Sequence, residues 1–157
     1  MATAPLNIVL VHPEIPNNTG NIGRTAAATG CRLHVIHPIG FDMSEKARRR
    51  AGLDYWHLVD CREHDSWDDF LAAESPKRAW LFTTKAEHSF WEADYQADDY
   101  LLFGSETKGV PDAVHDWIVS QHGASHRVKM PMEETARSLN LATAVCGAVY
   151  EARRQLQ

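Results

Sequence analysis

The sequence predicts an α/β fold in which a parallel sheet is covered by helices on both faces. Short apolar, β-branched runs alternate along the chain with segments of helical periodicity, and glycine or proline separates them. A chain of 157 residues with 44% hydrophobic and 24% charged residues is ordinary for one globular domain. We therefore expect a single Rossmann-like domain over residues 1–157, with its ligand crevice at the carboxyl ends of the strands.

The first elements are predicted from an apolar run and from the residues that interrupt it. Residues 6–11 form a short β-branched run that stops before a proline, which predicts a buried strand. Residues 13–18 contain two prolines and two asparagines, so we expect a loop there. Asn18 or Thr19 would then cap a helix that ends at Gly30.

The same alternation of strands and helices continues to the C-terminus. Later helices are indicated by capping residues and by apolar positions three and four residues apart. Residues 85–98 are rich in charged and aromatic side chains without periodicity, and they predict a loop with at most one helical turn. The other predicted elements are strands at 32–36, 56–60, 79–83, 100–103 and 127–130 and helices at 44–51, 66–73, 111–118 and 141–154.

Composition and charge exclude several classes of protein. With 16 basic and 21 acidic residues the formal charge is −5, so a nucleic acid would have to bind a local basic patch. Apolar runs are too short to cross a membrane and the N-terminus has no leader pattern, so we expect a cytoplasmic protein. Three widely separated cysteines argue against a disulfide framework and against a thiolate zinc site.

Common catalytic motifs are missing from the loops. Residues 104–109 have the glycine spacing of a phosphate-binding loop, but Val110 and Pro111 stand where that motif needs lysine and a hydroxyl residue. Residues 20–23 do not match the dinucleotide fingerprint, and Ser105 lacks the nucleophile elbow. The nine histidines form no metal-ligand motif, so we expect no metal. Residues 104–109 are either a plain turn or a backbone that lines a pocket closely.

Several basic residues and the C-terminal stretch leave two interpretations open. Arg24 either faces solvent or holds a phosphate beside the crevice, and the basic residues of 46–50 form either a solvated face or a phosphate site. Residues 130–140 predict a loop, and Ser138 or Asn140 would cap the helix that follows. Small residues on that helix would admit a close neighbour, although an ordinary docked helix has the same periodicity. These small residues are Ala142, Ala144, Gly147 and Ala148.

Three loop segments together resemble the signature motifs of the SPOUT class of RNA 2′-O-ribose methyltransferases. They are residues 17–25 (NNTGNIGRT), residues 102–111 (LFGSETKGVP), and residues 130–132 (MPM) with 137–141 (RSLNL). Their order and spacing both match, and residues 50–56 and 83–85 add to the match. The chain is most similar to the small, single-domain TrmL-type branch, which methylates the wobble nucleotide of tRNA. Each motif alone is weak, whereas three in order are specific.

The resemblance implies S-adenosylmethionine as the methyl donor, a homodimer, and a C-terminal trefoil knot that periodicity does not predict. It also implies a tRNA anticodon loop as substrate, without a metal ion. The implied catalytic residues are Arg24, Ser138 and Asn140. The implied cofactor-binding residues are Phe82, Thr83, Gly104, Glu106, Met130, Ser138 and Leu139. The implied RNA-binding residues are Arg24, Lys46, Arg48, Arg49, Lys85 and Tyr150.

The resemblance leaves both the role of Arg24 and the exact substrate open. A guanidinium is almost always protonated, so orienting the 2′-OH and stabilising the developing alkoxide is more economical than proton abstraction. The family pattern is not followed at Val110, Ala142 and Thr143, where we expect an adjusted rather than an abolished site. Methylation of another tRNA or rRNA position, and a catalytically silent RNA-binding module, are the alternatives.

Overall fold

The computed structural model describes residues 5–136 and 138–157, so Arg137 of the third motif lies outside the described residues. The strands are β1 (Asn7–Val11), β2 (Arg32–Ile36), β3 (Asp60–His64), β4 (Ala79–Phe82), β5 (His88–Ser89), β6 (Tyr100–Phe103) and β7 (Arg127–Lys129). The α-helices are α1 (Pro16–Thr29), α2 (Glu45–Arg50), α3 (Trp67–Glu74), α4 (Asp112–His122) and α5 (Leu141–Gln155). Short 3₁₀ turns occupy Trp56–Leu58, Phe90–Glu92 and Ala124–His126.

The seven strands form one sheet in the order β3-β2-β1-β6-β4-β7-β5, and every pairing is parallel. The predicted parallel α/β fold is therefore confirmed. Successive strands step outward from β1 through β2 to β3, and the chain then crosses to β4 and β6 on the other side of β1. The strand order reverses beside β1, and ligands of open α/β sheets bind at such a reversal.

Both faces of the sheet are buried, as the continuous apolar run of β1 predicts. Ile8 and Leu10 point into one hydrophobic cluster, while Val9 and Val11 point into the other, because successive side chains of a strand alternate between faces. Helices α1 and α5 cover the first cluster, and α3 and α4 cover the second. Within the described residues, no helix combines the length and the hydrophobicity needed to cross a membrane.

The prediction of a loop over residues 13–18 is wrong in its second half. Helix α1 begins at Pro16, and neither Asn18 nor Thr19 caps it. Proline suits this first position because its fixed φ is helical and the N–H that it lacks would have no helical partner. The predicted end at Gly30 is confirmed, since this glycine adopts the left-handed conformation with φ 69°.

The predicted strand at 56–60 is also wrong. Trp56–Leu58 is a 3₁₀ turn, and the strand follows at Asp60–His64. The apolar residues that suggested a strand are explained by Trp56, whose buried ring packs against α1. β3 itself is an edge strand with several exposed polar residues, so it carries little apolar signal. The region 85–98 contains the short β5 and one 3₁₀ turn, close to the prediction.

Candidate functional site

A cavity of about 640 Å³ lies at the carboxyl ends of β4, β6 and β7, the location predicted for the ligand crevice. This volume is in the range of small-molecule sites. The segments that follow these three strands form its walls, and the start of α5 closes it. All seven predicted cofactor-binding residues line the cavity, namely Phe82, Thr83, Gly104, Glu106, Met130, Ser138 and Leu139.

One wall of the cavity is the loop from Gly104 to Gly109, which folds back on itself. Ser105 and Gly109 exchange backbone hydrogen bonds of 3.0 and 3.1 Å, and Gly109 adopts a left-handed φ of 69°. A Cβ on Gly104 would overlap the backbone of Gly109, so only glycine permits this closure. The sequence left residues 104–109 as either a plain turn or a backbone that lines a pocket closely. Both features are present, because the loop closes on itself at Gly104 and also lines the cavity.

The carboxylate of Glu106 links this loop to the start of α1. Its Oε1 accepts a hydrogen bond of 2.9 Å from the backbone N–H of Glu14, and its Oε2 accepts one of 2.9 Å from that of Ile15. The side chain of Asn18 donates a third, of 3.2 Å, to Oε2. Glu106 therefore supplies the negative charge that the N-terminus of a helix favours, although it is 88 residues from Asn18 in sequence.

Asn18 continues the connection to the third motif. The Glu106 carboxylate only accepts hydrogen bonds, so the amide nitrogen of Asn18 faces it. Oδ1 of Asn18 then accepts a hydrogen bond of 3.0 Å from Nδ2 of Asn140. Oδ1 of Asn140 in turn accepts a hydrogen bond of 3.2 Å from the backbone N–H of Thr143. This bond caps α5 and confirms the prediction that Asn140 is a helix cap. One directed chain of hydrogen bonds thus joins all three motifs at the edge of the cavity.

A second link between the first two loops lies at their outer edge. The hydroxyl of Thr107 donates a hydrogen bond of 2.7 Å to the carboxylate of Glu14. Hydrogen bonds from Thr107 and then Ser105 lower the pKa of the Glu14 carboxyl below its usual value. Glu14 is therefore ionised at neutral pH and helps to hold the Gly104–Gly109 loop against the start of α1.

The structure places Arg24 on α1, and Arg24 is not among the described residues that line the cavity. The side chain is exposed, and its guanidinium carbon lies 4.8 Å from the ring centroid of Tyr55. Ser138 and Asn140 do line the cavity. The predicted catalytic set is thus divided between the cavity wall and the neighbouring helix α1.

Besides Arg24 on α1, the predicted RNA-binding residues fall in three places. Lys85 lines the cavity, whereas the cluster on α2 lies elsewhere on the surface. Within that cluster Lys46 is exposed and Arg49 forms an ion pair with Glu45. Arg48 donates a hydrogen bond of 2.6 Å to the carbonyl oxygen of Met43. Tyr150 is exposed on α5, about 15 Å along the helix axis from Asn140. A single subunit therefore does not gather these residues into one patch.

Sequence reasoning missed several residues that line the cavity. The sequence identifies Asn18 only as a possible helix cap, and its place in the first motif is the one signal that could have assigned it to the site. His115 and Lys129 carried no signal, because they come from α4 and β7 and meet only in the folded chain. Burial, together with nearby Arg127 and Lys85, lowers the pKa of His115, which keeps its ring neutral at pH 7.

A second group of polar side chains, which sequence reasoning also missed, lies under α3. His34, His64 and Glu74 bring metal-ligand atoms within 4.8 Å of one another. Asn7 donates to Asp98 through Nδ2, so its Oδ1 accepts from Nε2 of His34 at 3.1 Å.

Nδ1 of His34 must then accept from Nε2 of His64, also at 3.1 Å. The two facing nitrogens are satisfied by each other, which indicates a structural network rather than a vacant ligand set. Burial lowers the pKa of His34 to about 4, despite the opposing effect of the Glu74 carboxylate.

The parallel α/β sheet, with the three motifs hydrogen-bonded to one another around one cavity, has the arrangement that the resemblance to the SPOUT class of methyltransferases implies. The profile of the SpoU rRNA Methylase family matches residues 5–150. The chain therefore belongs to the SpoU methylase family, as its three motifs predict.

Individual relatives are similar over nearly their whole length. A Yersinia pestis protein named tRNA (cytidine(34)-2′-O)-methyltransferase is 47% identical over 156 residues, covering 96% of this chain and 94% of its own. A solved structure described as giving insights into the 2-OH methylation of C/U34 on tRNA is 47% identical, with a TM-score of 0.83 and coverages of 97% and 96%. A solved Bacillus anthracis protein is 40% identical, with a TM-score of 0.87 and coverages of 96% and 93%.

Proposed function

We propose that this protein transfers a methyl group from S-adenosylmethionine to the ribose 2′-OH of the wobble nucleotide, a cytidine or modified uridine, in a tRNA anticodon loop. The observation that carries the proposal is the hydrogen-bond chain from Glu106 through Asn18 to Asn140, which assembles the three family motifs beside the cavity. The names of relatives that match over nearly their whole length support the choice of substrate.

The residues of the cavity fit the proposed cofactor. The turned backbone after Gly104 and the segment 138–140 offer main-chain groups, while Phe82, Met130 and Leu139 offer apolar surface. An adenosine with a methionine-like tail needs both kinds of contact. When bound, S-adenosylmethionine supplies an electrophilic methyl group on a sulfonium.

The protein's own part in the reaction is to position the 2′-OH and to stabilise the charge that develops on it. Methyl transfer is an in-line displacement, so alignment and exclusion of water account for most of the catalysis. We assign Arg24, as a protonated guanidinium, to a backbone phosphate and to the developing alkoxide. Ser138 and Asn140 orient the ribose from the cavity wall, since Asn140 is itself held by Asn18.

The proposed RNA surface extends beyond the cavity and requires a second subunit. Lys85 contacts phosphate at the cavity mouth, and the exposed residues of α2 extend the basic surface. Tyr150 is too far along α5 to reach the cavity of its own subunit. We infer a homodimer in which the exposed face of α5 meets the second subunit and brings Tyr150 toward the RNA.

The remaining features of the proposal come from the family resemblance. Residues 1–157 would act as one methyltransferase domain in the cytoplasm, where tRNA is found. The segment from Met130 through α5 would thread a preceding loop to form a trefoil knot. The small residue Gly147 fits such close packing, because a Cβ there would lie 2.9 Å from the methyl carbon of Met130.

The test is to incubate the protein with labelled S-adenosylmethionine and total tRNA and to locate the modified nucleoside by mass spectrometry. We expect label at the wobble ribose, and we expect Arg24→Ala to abolish it while S-adenosylmethionine binding, measured by calorimetry, is retained. Protein treated with EDTA should remain active if no metal takes part. A product away from the wobble position would contradict the wobble assignment alone. Absence of label in any RNA would contradict both methyltransferase assignments and favour the silent RNA-binding module.

A further inference from the structure

The segment 53–56 lies directly on α1, because two glycines remove the side chains that would keep it away. A Cβ on Gly20 would be 3.3 Å from Cδ2 of Leu53 and 3.7 Å from the hydroxyl of Tyr55. A Cβ on Gly23 would collide with the ring of Trp56. The segment therefore lies in a shallow groove on the surface of α1 at Gly20 and Gly23, and Gly23 directly precedes Arg24.

Within this groove the side chain of Tyr55 makes two contacts with α1, one through its hydroxyl and one through its ring. Its hydroxyl donates a hydrogen bond to the carbonyl oxygen of Gly20. In an α-helix that carbonyl is also the acceptor for the N–H four residues later, which is the N–H of Arg24. The phenol is thus anchored to the same helical turn that carries Arg24, and its ring lies beneath the guanidinium at 4.8 Å.

The partner of Arg24 is an aromatic ring rather than an acid. Among the residues that the structure describes, none provides a carboxylate within 4.0 Å of Arg24. A carboxylate would neutralise the guanidinium and compete with an RNA phosphate for it. An aromatic face attracts the cation through its quadrupole and leaves the N–H donors along the guanidinium edge free.

We propose that Tyr55 is a positioning residue for Arg24, whose ring holds the guanidinium in one orientation without neutralising it. This inference rests on the proposed function, in which Arg24 meets a phosphate and the reacting ribose. A free arginine side chain samples many rotamers, and small displacements of a catalytic group cost large factors in rate. The ring restricts that sampling before the RNA arrives.

Two substitutions separate the ring from the hydroxyl. Tyr55→Phe keeps the aromatic face and loses only the hydrogen bond to Gly20, so its kcat should stay within about threefold of wild type. Tyr55→Leu removes the face, and its kcat should fall about ten- to a hundredfold while the Kd for S-adenosylmethionine is unchanged. Leu58→Ala is the matched control, because the Leu58 side chain is exposed three residues further along, in the adjoining 3₁₀ turn Trp56–Leu58.

A double-mutant cycle and a direct measurement of mobility complete the test. Tyr55→Leu should cause no further loss of residual activity in an Arg24→Ala background, since the ring acts through the guanidinium. The NMR order parameter of the Arg24 Nε–Hε group should fall in Tyr55→Leu and not in Tyr55→Phe or Leu58→Ala. This readout needs no substrate, so it tests the inference even if wild-type protein methylates no RNA.

Three results would overturn the inference. Unchanged kcat in a folded Tyr55→Leu variant would show that the ring is dispensable. Unchanged mobility of Arg24 in that variant would show that the ring does not restrain it. If Tyr55→Leu and Tyr55→Phe both lost thermal stability and cofactor affinity together with kcat, the role of Tyr55 would be purely structural. By contrast, the absence of methyl transfer by wild-type protein would count against the proposed function alone.

Discussion

The amide of Asn140 donates a hydrogen bond of 3.0 Å to Oδ1 of Asn18, joining two residues that are 122 positions apart in sequence. Asn18 can accept this bond because its own amide nitrogen is turned toward the Glu106 carboxylate. The direction of each bond therefore depends on the one before it. A change at the middle residue should disturb the whole connection, which makes Asn18 the most informative position to alter.

Replacing Asn18 with aspartate should weaken the fold and the site together. The new carboxylate cannot donate to Glu106, and it places a second negative charge within hydrogen-bond distance of the first. We expect a loss of about 2 kcal/mol or more in the free energy of unfolding, measured with urea. Asn17→Asp is the matched control, because Asn17 is exposed in the first turn of α1, where an acid is tolerated or favourable. Equal stability of the two variants would contradict the importance of this bond.

Substitution of Gly104 should affect cofactor binding more than folding. In Gly104→Ala the new methyl group would overlap the Gly109 backbone, so the loop must open at the cavity wall. We expect the Kd for S-adenosylmethionine, measured by calorimetry, to rise at least about tenfold, since at least about 1.4 kcal/mol of contacts would be lost. Far-ultraviolet circular dichroism should remain that of the wild type. An unchanged Kd would show that this loop is not part of the cofactor site.

The histidine pair beneath α3 should make the fold sensitive to acid. Burial lowers the pKa of folded His34 to about 4 from its ordinary 6.5, so the folded state favours the neutral ring. The stabilising contribution is therefore complete above pH 6.5 and is lost as the pH falls toward 4. Urea unfolding at pH 7 and at pH 4.5 should show a clear decrease in the wild type.

The matched experiment replaces His34 with glutamine, which keeps hydrogen-bonding groups but does not titrate. His34→Gln should be less stable at pH 7, yet its stability should depend less on pH than that of the wild type. Part of the pH dependence should persist, because burial also lowers the pKa values of His64, His115 and His122. An identical pH dependence in the variant and the wild type would contradict the role of His34.

Salt dependence should distinguish phosphate contacts from other lysines. Lys85 lies at the cavity, so Lys85→Ala should weaken tRNA binding and reduce the slope of log K against log salt by about 1. Lys77 is an exposed lysine just before the amino end of β4, whereas the cavity lies at the carboxyl end of that strand, and Lys77→Ala should leave the slope unchanged. Fluorescence anisotropy with labelled tRNA measures both. Equal slopes for the two variants would remove Lys85 from the RNA surface.

Most of the fold could be predicted from the sequence because its signals are local. The apolar run of β1, the cap at Ser44 before α2 and the left-handed glycine after α1 depend on a few adjacent residues. The two wrong elements had misleading local signals. Trp56 supplied strand-like hydrophobicity to a turn, and the start of α1 is stabilised by Glu106 rather than by a neighbouring cap.

The sequence by itself determined the α/β class, the order of its elements and, through three spaced motifs, the family to which the chain belongs. The tertiary structure alone decided how those motifs meet, because a hydrogen bond between Asn18 and Asn140 leaves no trace in either segment. It also decided that Tyr55 lies beneath Arg24 and that His34 faces His64. Side chains far apart in sequence become partners only when the sheet and its helices fix their distance and direction.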